Sequence, residues 1–173
     1  MSSDQLIEML SPTSGEKILD IGAGDGSMAD RVRNASKGAE VYAVEPNEKR
    51  VAAMSRAYPA IKGSVARAER LPFPDSYFDK AYTAVALHHF ADIDQALHEV
   101  VRVLRPGGCF VILEVEPGST LGRLFSFFGK VMGEHMTMMP QASLLARLKA
   151  AGGLEVVDSA SYGSRYLIRL RRP

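Results

Sequence analysis

Two short apolar runs, Lys17-Ile18-Leu19-Asp20-Ile21 and Val41-Tyr42-Ala43-Val44, stand about one strand–helix–strand unit apart. Each reads as a strand buried on both faces. Between them residues 26–36 suit a helix, and Asn47 is placed to cap a second one whose Val51, Met54 and Tyr58 share a face. The alternation continues with a weak strand around Ile61, a strand from Phe78 to Val85, and a helix with Ile93, Leu97, Val100, Val101 and Leu104 at the 3.6-residue period. Arg105-Pro106-Gly107-Gly108 ends that helix. Cys109 to Val115 is the next strand and Gln141 to Ala151 the last clear helix, with Leu154–Val157 and Tyr166–Leu170 as closing strands. Before all of this, Ser2-Ser3-Asp4-Gln5 reads as a capping box opening a short helix with Leu6, Ile7 and Leu10 on one side. Pro12 stops it, so residues 1–14 are expected to form a small N-terminal flap.

Strands alternating with helices predict a largely parallel sheet covered on both faces, with ligands at the carboxyl ends of the strands. The loops after Ile21, Val44, Val85 and Val115 are therefore where chemistry is expected. At 173 residues and 46% hydrophobic, the chain fits one domain. Its formal charge is +1, with 21 basic against 20 acidic residues, so no global field draws it to nucleic acid or anionic membrane. Cys109 is the only cysteine, which excludes an intramolecular disulfide and Cys-pair metal or redox motifs. No basic leader opens the chain and no apolar run reaches the roughly 18 residues of a membrane span, so a cytoplasmic location is expected. Nothing in the sequence sets an oligomeric state.

Ile18-Leu19-Asp20-Ile21-Gly22-Ala23-Gly24-Asp25-Gly26 puts glycines where a strand must turn sharply into a helix while its backbone approaches a ligand. The dinucleotide fingerprint needs its third glycine at position 27, and Ser27 stands there instead. NAD is thereby disfavoured. Glu45 ends the second strand, where a carboxylate accepts bonds from both ribose hydroxyls of an adenosyl group. That feature suits NAD and S-adenosylmethionine alike, but residues 116–173 leave no room for the substrate domain of a dehydrogenase.

The segments "ILDIGAGDG", "VYAVEP", "AERLPFPDSYFD", "ALHHF" and "VLRPGGCFVILE" resemble, in order and spacing, the successive motifs of class I S-adenosylmethionine-dependent methyltransferases. The likeness covers roughly residues 15–115 and is greatest to the small-molecule branch typified by ubiquinone and menaquinone C-methyltransferases. It implies an α/β, Rossmann-like three-layer sandwich with a mostly parallel seven-stranded sheet and an antiparallel last strand. It also implies methyl transfer from S-adenosylmethionine, leaving S-adenosylhomocysteine, to a small, partly apolar acceptor by in-line displacement.

Carried over by position, Gly22, Gly24 and Gly26 line the methionine end of the cofactor, whose carboxylate suits a helix N-terminus. Asp20 lies behind that loop, near the methionine portion or ordering the turn. Glu45, followed by Pro46, holds the ribose, Ala68-Glu69 belongs to the adenine end, and Ala84-Val85 to the methyl end. Asp25 reads better as a plain helix N-cap. Where the family usually has Asp, just before Ala68, this chain has Arg67, a donor-only group that cannot accept from the adenine amino group.

The loop Thr83–Phe90 is not the Asn-Pro-Pro-Tyr type that serves base amino groups, and no nucleic-acid substrate is expected. His88 and His89 are the candidate bases, the competing reading being structural histidines beside Phe90. His98 falls opposite the apolar stripe of its helix. His98-Glu99-Val100-Val101-Arg102 narrowly misses a zinc-protease pattern, and no metal site is expected.

Leu121, Leu124, Phe125, Phe128 and Met132 recur at helical spacing, followed by Met136, Met138 and Met139. Residues 118–139 are either a core helix or a lid over the acceptor, with Gly122, Gly129 and Gly133 permitting movement. Arg165, Arg169, Arg171 and Arg172 read as the charged defence of an edge strand. The rival to an enzyme is a cofactor-binding or partner-binding module of the same fold with little or no catalysis.

Overall fold

The computed structural model describes residues 2–132 and 137–173, with side chains of residues 128–132 outside that description. Seven strands form one sheet in the order β3-β2-β1-β4-β5-β7-β6. They are β1 (Lys17–Ile21), β2 (Glu40–Glu45), β3 (Lys62–Val65), β4 (Phe78–Ala84), β5 (Leu104–Val115), β6 (Glu155–Tyr162) and β7 (Arg165–Arg171). The first five pair in parallel, and β7 lies antiparallel between β5 and β6. This is the Rossmann-like α/β sandwich with an antiparallel last strand.

Successive strand residues serve opposite faces, and both faces are apolar because both are covered. Leu19, Ile21, Tyr42, Val44, Phe110 and Ile112 pack with α4 (Ile93–Val103) and α6 (Gln141–Ala151). Ile18, Val41, Ala43, Val111 and Leu113 pack with α1 (Ser2–Leu10), α2 (Ser27–Ser36) and α3 (Glu48–Ala57). Within the segment expected as an N-terminal flap, Leu6 and Leu10 are fully buried against the sheet.

α5 (Thr120–Met132) differs from the other helices, because none of its described side chains enters either core cluster. Leu124 and Phe127 are exposed, at 50% and 63%. Gly122 is closely packed: a Cβ there would collide with the Glu116 carbonyl and stand 2.7 Å from Pro117 Cα, so its lack of a side chain lets the helix start sit against the residues that follow β5. Gly133 and Met136 lie outside the described residues.

The near-miss of a zinc motif is structural. Arg102 donates to Glu99 at 2.7 Å, to Asp75 at 2.8 Å, and to the carbonyls of Phe73 and Leu71 at 2.8 and 3.0 Å. Glu99 in turn accepts from Leu71 N–H at 2.7 Å. One guanidinium thus ties the "LPFPD" loop under α4. Among the described residues there is no metal-binding cluster, and no helix is long and apolar enough to cross a membrane. Arg102→Met keeps the apolar stem but strands two backbone carbonyls and two carboxylates, so thermal melting should fall by several degrees, about 2–3 kcal/mol. An unchanged midpoint would show the loop to be held by its aromatic contacts instead.

Candidate functional site

The turn from β1 into α2 carries Gly22, Gly24 and Gly26 in the left-handed region, with φ of 80°, 58° and 81°. Packing requires two of them. A Cβ on Gly22 would stand 2.6 Å from Ala86 Cβ, and one on Gly26 would collide with Met54. Gly24 is different, since a Cβ there would meet nothing within 4 Å. It faces a cleft of about 520 Å³ at the carboxyl ends of β1, β2 and β4. That volume lies within the range of small-ligand sites.

Gly22 and Gly24 line this cleft together with Glu45, Pro46, Ala68 and Glu69. Ala84, Val85 and His89 form its other end. Three of the candidate residues stand outside it: Gly26 is spent on Met54, Asp20 lies behind the loop, and His88 is buried beneath the cleft wall. Ser27, Met28, Asn47, Arg50, Ala66 and Phe90 also line the cleft and carry no motif of their own as ligand contacts. Their only sequence signal is adjacency to the motif residues.

Glu45 is buried and its carboxylate is held by backbone. Oε2 accepts from Gly24 N–H and Oε1 from Asn47 N–H, both at 3.1 Å. Each oxygen keeps acceptor capacity for a further donor. The Asn47 side chain caps α3 by accepting from Arg50 N–H at 3.2 Å.

Asp25 does cap-like work from one position early. Its Oδ1 accepts from Ser27 N–H at 2.9 Å and Ser27 Oγ–H at 2.7 Å, and Gly26 is the N-cap residue itself. The Ser27 side chain, then its N–H, hold the Asp25 carboxyl below its ordinary range. A carboxylate therefore already sits at the helix N-terminus that was expected to receive the ligand's own.

Asp20 is fully enclosed, and the Tyr82 hydroxyl donates to its Oδ2 at 2.8 Å. Burial pushes the Asp20 carboxyl up to about 7, the Tyr82 bond opposes the rise, and the charges of Glu45 and Asp25 add to it. Burial likewise drives the Tyr82 phenol well above its ordinary value.

The loop after β4 turns at Val85, whose φ is 55°. A β-branched residue is strained there. A 3-10 turn over Leu87–His89 follows and sends the two histidines to different places. His89 is exposed at the cleft. His88 is 3% exposed and its Nδ1 lies 3.0 Å from Glu114 Oε2.

Glu69 lines the cleft, but Oε1 is engaged with Ala91 and Asp92 N–H at 2.7 and 3.1 Å, so it fastens this loop to the start of α4. Arg67 and Arg50 are both exposed at the mouth.

Residues 19–112, from β1 into β5, match the family described as "Methyltransferase domain". The chain belongs to this family. Over 170 residues the methyltransferase domain is 32% identical to the ubiquinone/menaquinone biosynthesis C-methyltransferase of Nitrosospira multiformis, covering 93% of the chain and 62% of that protein. It is 38% identical over 112 residues to 27-O-demethylrifamycin SV methyltransferase of Amycolatopsis mediterranei, covering 61% of the chain and 41% of that protein. The chain spans about half the length of the curated relatives it matches. An S-adenosylmethionine-dependent methyltransferase from Mesorhizobium loti shares the fold, with a TM-score of 0.83 at 22% identity over 98% of this chain and 96% of that one.

Asp20 gives the site a pH signature. Its folded-state value of about 7 exceeds the ordinary unfolded value, so the folded state holds the proton more tightly. The stabilising contribution is complete below about pH 4 and is lost as pH rises through 7. Asp20→Asn keeps an acceptor for Tyr82 and removes the titration. Measured by denaturant unfolding, the variant should gain a few kcal/mol on the parent between pH 4 and 8, since each pH unit between the unfolded and folded values is worth about 1.4 kcal/mol. Parallel stability curves would refute this.

Proposed function

We propose that this methyltransferase domain transfers a methyl group from S-adenosylmethionine to a small, partly apolar molecule. The observation that carries the reading is the pairing of Gly24, open to the cleft, with Glu45, whose carboxylate is buried beside it with acceptor capacity to spare. These residues fit an adenosyl ligand: Glu45 would accept from the ribose hydroxyls while the left-handed turn lets backbone approach the amino-acid portion. Arg67 cannot accept from the adenine amino group, so adenine would rest on the apolar walls of Pro46, Ala66 and Ala68. Dinucleotides are disfavoured by Ser27 at the third glycine position.

When bound, S-adenosylmethionine supplies a methyl group already activated on a sulfonium. The chain's own residues have then to align the acceptor, exclude water and, where a proton must leave, take it. His89, which reaches the cleft, is the residue proposed for that proton, and His88 is assigned a supporting place. The acceptor class rests on the relatives, whose names give a quinone pathway and a rifamycin, and on the apolar surface of α5 above this end of the sheet. That helix is proposed as part of a lid formed by residues 118–139. Phe125 brings its ring edge-on to His88 with centroids 6.5 Å apart.

Calorimetric titration should show S-adenosylmethionine and S-adenosylhomocysteine binding and NAD failing to bind. Gly24→Val should lose both ligands with the fold intact, because its side chain would enter the open side of the turn at a disfavoured φ. NAD binding, or ligand affinity unaltered in Gly24→Val, would overturn the assignment.

Replacing residues 119–138 by a short Gly/Ser linker separates lid from core. A lid predicts a folded protein that binds cofactor within a few fold of the parent and turns over much more slowly. A core helix predicts unfolding.

A further inference from the structure

Glu114 closes the segment "VLRPGGCFVILE" and does not line the cleft; it is a buried carboxylate, 3% exposed, at the carboxyl end of β5. All of its partners lie at the methyl end. Oε1 accepts from Leu87 N–H at 2.7 Å, Oε2 accepts from Val115 N–H at 3.2 Å, and His88 Nδ1 lies 3.0 Å from Oε2. A hydrogen bond between Nδ1 and Oε2 holds the His88 ring as one tautomer.

The loop that Glu114 grips is the one that begins at left-handed Val85. Such a conformation is strained for a β-branched residue and persists only where the surroundings over-determine it. Two restraints are in place. Val85 N–H donates to the Leu113 carbonyl at 2.8 Å, and two residues later Glu114 takes Leu87 N–H. Consecutive residues of β5 thus clamp the loop on either side of its strained turn. His88 extends the clamp in two directions. Its ring lies 4.2 Å, centroid to centroid, from that of His89 at the cleft, and its carbonyl accepts from Thr137 N–H at 2.9 Å, beyond α5.

We propose that Glu114 is a positioning residue: by gripping Leu87 and His88 it keeps Val85 in its left-handed turn and so presents Ala86 and His89 to the cleft. The proposal deepens the methyl-transfer reading and rests on it for the cleft's occupant, but the clamp itself is testable without any ligand.

The decisive set is Glu114→Ala, Val85→Gly and the double variant in the full chain. Glycine adopts positive φ without support, so it should make the clamp dispensable. Adding Glu114→Ala to the parent should weaken S-adenosylhomocysteine binding at least about tenfold. Adding the same change to Val85→Gly should weaken it less than about threefold. Equal losses in the two backgrounds would overturn the proposal. Should no variant and no parent bind the ligand, the methyl-transfer reading fails, and the same comparison made on melting temperature still decides the clamp.

If Glu114→Ala does not fold, Glu114→Gln serves. An amide has one accepting oxygen, so it cannot serve Leu87 N–H and Val115 N–H together, and the variant should reproduce the two-background pattern at smaller size. Equal losses of binding in the two backgrounds would overturn the proposal here too.

Discussion

A buried carboxylate accepting two backbone N–H groups ties the glycine turn after β1 to the start of α3 after β2. Glu45 contacts Gly24 N–H with one oxygen and Asn47 N–H with the other, and the cleft lies between the two segments so joined. Unpaired backbone donors at helix starts and a buried anion are each costly alone. Bringing them together satisfies both and fixes the spacing of two loops that separate strands carry. The same economy recurs around the site, with Asp25 on Ser27, Glu69 on Ala91 and Asp92, and Glu114 on Leu87 and Val115. Four acidic residues act mainly as caps for irregular backbone, which is how loops stay rigid enough to bind.

The architecture was legible because period and apolarity agree in it. β1, β2 and α4 are set by local patterns that no tertiary contact opposes, and the glycine turn with Glu45 follows from where those strands must end. The misread boundaries have physical causes. Arg105-Pro106-Gly107-Gly108 carries turn signals, yet β5 begins at Leu104, pairing with Phe78 before a register shift after which Lys80 pairs with Cys109. An irregular strand absorbs the turn residues that the sequence offers as a break. β6 runs on through Asp158, Ser159 and Ser161 to Tyr162, because an edge strand paired on one side with β7 tolerates polar residues on its exposed face.

Within the site, adjacency in sequence was the weakest guide. His88 and His89 have the same chemistry on paper, and a single 3-10 turn buries one against Glu114 while leaving the other at the cleft. Nothing short of that turn distinguishes them. Glu114 was invisible for the same reason: it looks like the polar end of a strand, and its partners lie 26 and 27 residues away in the chain. The position of Asp20 behind the loop follows from its place in the motif, but its high affinity for a proton depends on enclosure and on the charge of Glu45, which only the folded chain provides.

The two ends of the cleft are built on different principles, and the difference bears on what varies in such a domain. At the end that Gly24 and Glu45 build, the lining comes from strand termini and from a turn whose geometry glycine and a buried acid enforce. At the other end the sheet contributes a strained turn and a histidine, and the described side chains of α5 lie outside both core clusters. Of the described α5 side chains, Leu124 and Phe127 are exposed, and Phe125 meets the His88 ring edge-on. Substitutions at Glu45 or Glu114 remove the acceptors that hold backbone of these loops, and so disturb the frame of the cleft itself.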